Sequence, residues 1–136
     1  MNLHQSHLRI ARPSLDLDRA EHFWTTGVGM SPLYRSRRAD PANLVMVGFP
    51  DATWHIELTH DPAHPVTPQP TPEDALVLYL DGEIPAELIA RISAAGGRQE
   101  PHPNPYWNQW GVTLIDPDGY PLILSTRAWT NRPLED

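Results

Sequence analysis

The chain has 136 residues, no cysteine, 40% hydrophobic residues and a formal net charge of −7. One domain of this size can bury a core, and the lack of thiols excludes disulfides, thiolate metal sites and cysteine nucleophiles. The negative charge argues against nucleic acid, because phosphate binding needs clustered lysine and arginine. No apolar stretch approaches the ~20 residues of a membrane span, and no signal-peptide pattern opens the chain. We therefore expect a cytoplasmic protein that binds neither nucleic acid nor a membrane.

Residues 1–60 predict one unit with the element order β-α-β-β-β. A strand at residues 8–12 precedes a helix, for which Asp18-Arg19-Ala20-Glu21 resembles a capping box. β-rich runs follow at residues 31–37, 44–49 and 53–60, separated by Asp40-Pro41 and Pro50-Asp51. Helical spacing predicts that the inward residues are Leu17, Ala20, Phe23, Trp24 and Val28.

A proline-rich stretch at residues 61–74 divides the chain. It holds Pro62, Pro65, Pro68, Pro70 and Pro72, which predicts an extended linker because proline supports neither a central strand nor a helix interior. Residues 75–136 then repeat the first order. They contain a strand at 75–80, a helix and a short strand at 98–100. The helix has Pro85 at its first position and Gly96-Gly97 at its end, and its inward residues are Leu88, Ile89, Ile92 and Ala95.

The end of the chain predicts a β-hairpin entered through an aromatic loop. Strands at residues 111–115 and 120–125 flank Asp116-Pro117-Asp118-Gly119, in which proline presets φ and glycine tolerates a positive φ. The preceding loop carries Asn104, Tyr106, Trp107, Asn108 and Trp110. Aromatic rings interleaved with amides suit a planar or sugar-bearing ligand, and the alternative is that the tryptophans close the mouth of a barrel or fill a dimer seam.

The repeated order, the Phe23-Trp24 pair, the Trp54-His55-Ile56-Glu57-Leu58 strand and the Asp116 to Tyr120 hairpin together resemble the vicinal oxygen chelate superfamily. This group contains glyoxalase I, bleomycin-resistance proteins, fosfomycin-resistance enzymes and extradiol dioxygenases. The resemblance implies an α+β fold in which two βαβββ modules, 1–60 and 75–136, form a U-shaped half-barrel cup within a single domain, commonly at a homodimer interface.

In the metal-using members, up to four His or Glu ligands lie on the first and fourth strands of each module. The resemblance assigns Glu57 to the carboxylate position of the first module, and His7 or Arg9 to its first strand. In the second module the corresponding residues are Ala75 or Val77 on the first strand and Ile123 on the last.

Aliphatic side chains coordinate nothing, and a divalent ion takes three or more protein donors. We therefore expect no metal cofactor. The alternative is a rearranged divalent-metal site formed by His7, His55, Glu57 and His102.

Glu57 has two interpretations. Burying an unpaired carboxylate is costly, so it either forms a structural ion pair, with Arg9 as the candidate of matching parity, or acts on a ligand as a general base or hydrogen-bond acceptor. The candidate ligand-binding residues are Arg9, His55, Glu57, His102, Asn104, Tyr106, Trp107 and Trp110.

The function that these residues favour is metal-independent binding of a small organic ligand, similar to bleomycin-resistance-type sequestration. One alternative is an enzyme: a glyoxalase-like lyase or isomerase, or a dioxygenase-type enzyme, with a rearranged metal site or with Glu57 as general base. A second alternative is a dimeric accessory protein whose cup is filled by its own tryptophans. The residues leave open whether the protein is catalytic.

Overall fold

In a computed structural model that describes residues 1–37 and 43–135, the chain forms two four-stranded sheets. The predicted Asp40-Pro41 breaker lies outside the described residues. The strands are β1 (Leu8–Pro13), β2 (Ser31–Ser36), β3 (Asn43–Gly48), β4 (Trp54–His60), β5 (Leu76–Tyr79), β6 (Arg98–Glu100), β7 (Gly111–Ile115) and β8 (Pro121–Ser125). The helices are α1 (Leu17–His22), α2 (Ala86–Ala94) and α3 (Pro105–Trp110), with a short 3-10 turn at Leu3–Gln5.

The two sheets have the same topology. Their strand orders are β1-β4-β3-β2 and β5-β8-β7-β6. In each, the first strand of the module pairs in parallel with the last, and the remaining pairs are antiparallel. The predicted fold of two βαβββ modules is therefore confirmed, with α3 as an additional short helix in the second.

One hydrophobic core joins both sheets. Each strand alternates its side chains, so Ile56 and Leu58 of β4 face α1 while His55 and Glu57 lie on the opposite face. The buried cluster includes every residue predicted to point inward from the first helix; its members are Leu17, Ala20, Phe23, Trp24, Val28, Met30, Val45, Val47, Ile56, Leu58, Ile92, Leu114, Leu122 and Leu124. Burying each large apolar side chain stabilises the fold by roughly 1.5–3 kcal/mol.

A π-helical turn, Phe23–Gly27, continues α1 into the core. The amide of Val28 donates to the carbonyl of Phe23 at 2.9 Å, which is an i to i+5 bond. The wider turn lets two consecutive aromatic residues point inward. Phe23 and Trp24 meet edge to face, with centroids 5.0 Å apart. The second module is tied to this turn by Arg91, whose Nε donates to the carbonyl of Gly27 at 2.8 Å.

The sequence placed three helix details incorrectly. The N-cap of α1 is Asp16, whose side chain accepts from the amide of Arg19, so the helix begins before the predicted capping box. Pro85 is the N-cap of α2 rather than its first helical residue. The predicted aromatic loop is helix α3, because Asn104 caps it by accepting from the amide of Tyr106 and Pro105 follows as a favourable first residue.

The proline-rich linker packs against the second module. The carbonyl of Pro72 bonds the His102 ring at 2.9 Å. Pro70 lies against Gly119, which has a positive φ of 96° in the hairpin turn. In that turn, the Asp116 carboxylate accepts from the amides of Asp118 and Tyr120, both at 2.9 Å. The structure shows the predicted hairpin between β7 and β8, and it places no helix or strand within residues 61–74.

Candidate functional site

Four polar side chains meet on the face of the first sheet opposite α1, and we call them the Arg9 cluster: His7, Arg9, His55 and Glu57. Arg9 donates from Nε to His55 Nε2 at 3.1 Å and from Nη1 to Glu57 Oε2 at 3.2 Å. His7 Nε2 lies 2.7 Å from His55 Nδ1. The four side chains therefore form one continuous hydrogen-bonded chain.

The pairing of β1 with β4 creates this cluster. The two strands are parallel, and the register aligns Arg9 with His55 and Ala11 with Glu57. Side chains two residues apart on a strand share a face, so His55 and Glu57 both stand on the side that Arg9 occupies. The structure thus brings His7 and Arg9 together with His55 and Glu57, and the hydrogen-bonded pairs are 46 to 48 positions apart in the chain.

Arg9 determines the tautomer of His55. A guanidinium only donates, so His55 Nε2 accepts and carries no proton. The proton of the neutral ring is then on Nδ1, from which it is donated to His7 Nε2. Burial lowers the pKa of His55, and the positive charge of Arg9 and the neighbouring His7 lower it further, against an opposing effect of Glu57. His55 is consequently a neutral imidazole at pH 7.

The Arg9→Met variant is expected to raise the pKa of His55 towards the ordinary 6.5, because it removes the nearby positive charge. A titration of the ring resonances by NMR measures this. A wild-type His55 whose pKa lies at or above the ordinary 6.5 would contradict the assignment. Because the folded-state pKa is lowered, the stability linked to His55 is present above pH 6.5 and is lost as the pH falls.

The Arg9 cluster is open to solvent at one end. The Arg9 side chain is 51% exposed and that of Glu57 is 15% exposed. Among the described residues, the outer nitrogen Nη2 of Arg9 contacts only the sulfur of Met46, at 3.9 Å. Glu57 Oε1 has no hydrogen-bond partner among the same residues. The cluster therefore offers donors on a guanidinium and an acceptor on a carboxylate to a bound molecule. Sequence reasoning did not find Met46, because nothing in its flanking residues distinguishes it from a core position.

A metal ion does not fit these residues. The ring nitrogens that face one another in His7 and His55 are engaged with each other, and Arg9 occupies both His55 Nε2 and one oxygen of Glu57. In the second sheet, Val77 and Ile123 stand at the ligand positions that the resemblance assigns. They are paired in register on β5 and β8, and both are aliphatic. Within residues 1–37 and 43–135, no group of three or more His, Asp or Glu side chains is arranged to hold a metal.

His102 lies in the second module and its ring is used structurally. Its Nε2 bonds the carbonyl of Pro72, and its Nδ1 accepts from the amide of Asn104 at 2.9 Å. Asn108 bonds the backbone of His102 in both directions, at 2.8 Å each. These bonds join the linker to the start of α3, and none of them reaches the Arg9 cluster. The predicted set of four metal ligands is therefore not assembled.

A cavity of about 240 Å³ lies between the linker and strands β6 and β7. Pro70, Thr71 and Pro72 form one wall, and the other includes Thr113, Ile115 and His102. The remaining predicted ligand-binding residues lie nearby on α3. Asn104 is its cap, Tyr106 and Trp107 meet edge to face with centroids 5.0 Å apart, and Trp110 ends the helix.

None of the helices in the described part of the chain is long and apolar enough to cross a membrane.

Two family models match the chain in tandem. Residues 8–59 match the YycE-like N-terminal domain, and residues 73–126 match the YycE-like C-terminal domain. The uncharacterized protein YycE of Bacillus subtilis is 30% identical over 118 residues, which are 86% of this chain and 85% of that protein. The crystal structure of a YycE protein of unknown function from B. subtilis superimposes with a TM-score of 0.80 at 28% identity, over 92% of each chain.

More distant structures share the fold. Glyoxalase I of Leishmania major has a TM-score of 0.68 at 21% identity, over 89% of this chain and 86% of its own. An antibiotic-binding protein from a Streptomyces species has a TM-score of 0.63 at 21% identity, over 93% of this chain and all of its own. With both halves of the chain matched in order and the fold shared throughout, this protein belongs to the YycE-like family of the vicinal oxygen chelate superfamily.

Proposed function

We propose that this protein binds a small organic molecule, without a metal, on the face of the first sheet that carries the Arg9 cluster. The observation that carries the proposal is the ordered chain from His7 through His55 and Arg9 to Glu57, which ends in a half-exposed guanidinium. Counting partners only in the described part of the chain, Arg9 has N–H groups and Glu57 an oxygen that remain available at the same place. A ligand with adjacent acceptor and donor groups would satisfy both.

The predicted residues of the second module, His102, Asn104, Tyr106, Trp107 and Trp110, belong to the same proposal as a second ligand-contacting region on α3. An antibiotic-binding protein of the same fold supports sequestration as the role. Dimerisation, which the resemblance implies, and a cytoplasmic location, which the composition indicates, remain predictions.

Metal independence is supported by the chemistry of the positions themselves. In the second module, Val77 and Ile123 have no lone pair to donate, and Ile123 is completely buried. In the first module, Arg9 is hydrogen-bonded to both His55 and Glu57, so a metal ion bound by these two residues would lie close to a positive charge and be repelled by it.

Arg9→Met is expected to weaken ligand binding about tenfold or more, because a hydrogen bond to a charged group contributes roughly 1.5–3 kcal/mol. Metal-stripped protein would be screened by thermal shift against metal-free bleomycin, fosfomycin and a set of aromatic carboxylic acids, and hits would be measured by calorimetry. Arg98→Met is the matched control, since Arg98 is 66% exposed and paired with Glu100 on the second sheet. Binding only after a divalent metal is added, or equal losses in both variants, would refute the proposal.

A second candidate function is metal-free proton transfer with Glu57 as the base, and it is favoured by the oxygen Oε1, which has no hydrogen-bond partner within residues 1–37 and 43–135. Glyoxalase I of the same fold makes proton abstraction beside a carbonyl the reaction to test. The Glu57→Gln variant separates the two functions, because the amide keeps the shape and loses the basicity. Turnover of the hemithioacetal of methylglyoxal that fell at least a hundredfold in this variant would favour catalysis.

A further inference from the structure

The segment that follows β8 holds a tryptophan on the surface in a fixed orientation. Trp129 is 69% exposed, yet its ring stacks on Tyr79 of β5 with centroids 6.0 Å apart and an interplanar angle of 28°. Its indole N–H donates to the side chain of Asn131 at 2.8 Å. An indole held on one face and at its nitrogen leaves the other face open as a preset stacking surface.

An arginine without a carboxylate partner lies two residues before this tryptophan. The guanidinium of Arg127 sits 4.3 Å from the centroid of the Trp110 ring at the end of α3. Among the described residues, no Asp or Glu forms a salt bridge with it. Stacking on a tryptophan leaves the N–H edge of a guanidinium free to bind a planar anion through two parallel hydrogen bonds.

The backbone holds these two groups in place. The carbonyl of Trp110 accepts from both the amide and the hydroxyl of Thr126, at 2.8 and 3.0 Å. The amide of Arg127 donates to the Ser125 hydroxyl at 3.1 Å, and its carbonyl accepts from the amide of Asp81. The surface is therefore formed by ordered groups from α3, from the end of β5 and from the segment after β8.

We propose that Tyr79, Trp110, Arg127 and Trp129 form a second binding site, which takes a planar aromatic carboxylate. The ring of the ligand stacks on the open face of Trp129, and its carboxylate pairs with Arg127. The Cα atoms of these two residues are at most about 7 Å apart, so their side chains leave the backbone close together. Arg127 and Trp129 lie just beyond the residues 73–126 that match the family model, so the site does not follow from family membership.

The site is separate from the Arg9 cluster, which lies on the first sheet. It also differs in chemistry, because the cation of Arg9 is paired with Glu57, whereas that of Arg127 forms no salt bridge within residues 1–37 and 43–135. The second site shares Trp110 with the α3 region of the proposed function, but its test depends on Arg127 and Trp129, which the proposed function does not use.

The test uses 2-naphthoate as the probe on the full chain. The reporter is the indole N–H resonance of Trp129 in a proton-nitrogen NMR spectrum, identified by its loss in Trp129→Ala. We expect saturable shifts of that resonance with 2-naphthoate. With cyclohexanecarboxylate, which lacks the aromatic ring, or 2-naphthalenemethanol, which lacks the charge, we expect binding at least about tenfold weaker.

The variants Arg127→Gln and Trp129→Ala are each expected to weaken 2-naphthoate binding about tenfold or more, measured by calorimetry as well as NMR. Tyr34→Ala and Arg19→Gln are the controls, because both residues are exposed on the first module. Loss of binding in Arg9→Met but not in Arg127→Gln would overturn the proposal, as would equal binding of all three probes or no binding at all. So would a change from dimer to monomer in Trp129→Ala by sedimentation, since the surface would then be a contact between two copies.

Discussion

Replacing Asp116 by Asn is expected to raise the free energy of unfolding at pH 7.5 by about 3 kcal/mol. The Asp116 carboxyl is 5% exposed, and burial raises its pKa from 3.8 to about 6, against the opposing effect of the two amides that it accepts from. Each pKa unit corresponds to about 1.36 kcal/mol. The amide of Asn has no charge to desolvate, and its oxygen can still accept from the backbone of Asp118 and Tyr120.

The sign of the pH effect follows from the direction of this shift. The folded-state pKa is raised, so the unfolded chain loses the proton first as the pH rises. The stability linked to Asp116 is fully present below about pH 4 and is lost as the pH rises through about 6. The nearby cation of Arg12, whose guanidinium lies 4.3 Å from the Tyr120 ring centroid, lowers the pKa of Asp116 but by less than burial raises it.

Urea unfolding at pH 4.5, 6.0 and 7.5 measures this dependence. As the pH rises from 4.5 to 7.5, the free energy of unfolding of the wild type is expected to fall relative to that of Asp116→Asn. The plots of this free energy against pH for the two proteins should converge at the acidic end. Asp118→Asn is the matched control, since this residue lies in the same turn and accepts from the amide of Leu15. Parallel curves for the wild type and Asp116→Asn would show that the carboxyl is not desolvated in the folded protein.

The Gly111→Ala variant is expected to lose about 3 kcal/mol of stability, the upper end of the cost of overpacking. Gly111 begins β7 and pairs with Ser125 on β8. A Cβ atom at this position would collide with the carbonyl oxygen of Leu124, which belongs to the backbone and has no rotamer through which to move away. The two strands of the hairpin would have to separate at this end.

Gly82→Ala provides the comparison, because a Cβ there meets no atom within 4 Å and the only penalty is a positive φ of 157°. It should cost about 1 kcal/mol. The two variants are compared by thermal and urea unfolding, with an NMR spectrum of the β7–β8 amides to detect the separation. If Gly111→Ala were no less stable than Gly82→Ala, the strands would not be as closely packed as the structure has them.

Local signals in the sequence predicted most of the secondary structure. The hairpin followed from Asp116-Pro117-Asp118-Gly119, whose conformational preferences operate within four residues. The inward residues of α1 and α2 followed from helical spacing, and the linker from its five prolines. The errors occurred where local signals are ambiguous or short. Asp16 and Asp18 are both good caps, and α3 has only six residues, too few for helical spacing to predict it.

The candidate site could be predicted only in part. The alternation of side chains along β4 shows which residues of that strand share a face, but not which residues of another strand they meet. It placed His55 and Glu57 on one face, and the same parity made Arg9 a candidate partner of Glu57. It could not establish that His7 would bond to His55, since that contact requires the parallel register of β1 on β4. Nor could it exclude His102 from the cluster, because its bonds to Pro72 and Asn104 depend on the path of the linker over the second sheet.

The order of the elements and the two-module repeat could be read from the sequence. So could the aliphatic residues at the ligand positions of the second module, because Val77 and Ile123 cannot coordinate a metal ion in any conformation. The tertiary structure decided which polar groups meet. The Arg9 cluster, the clip between His102 and the linker, and the stacking of Arg127 and Trp129 on distant aromatic rings all join residues far apart in the chain. Such contacts depend on strand register and on how the sheets are covered, and these are set by the packing of the common core rather than by neighbouring residues.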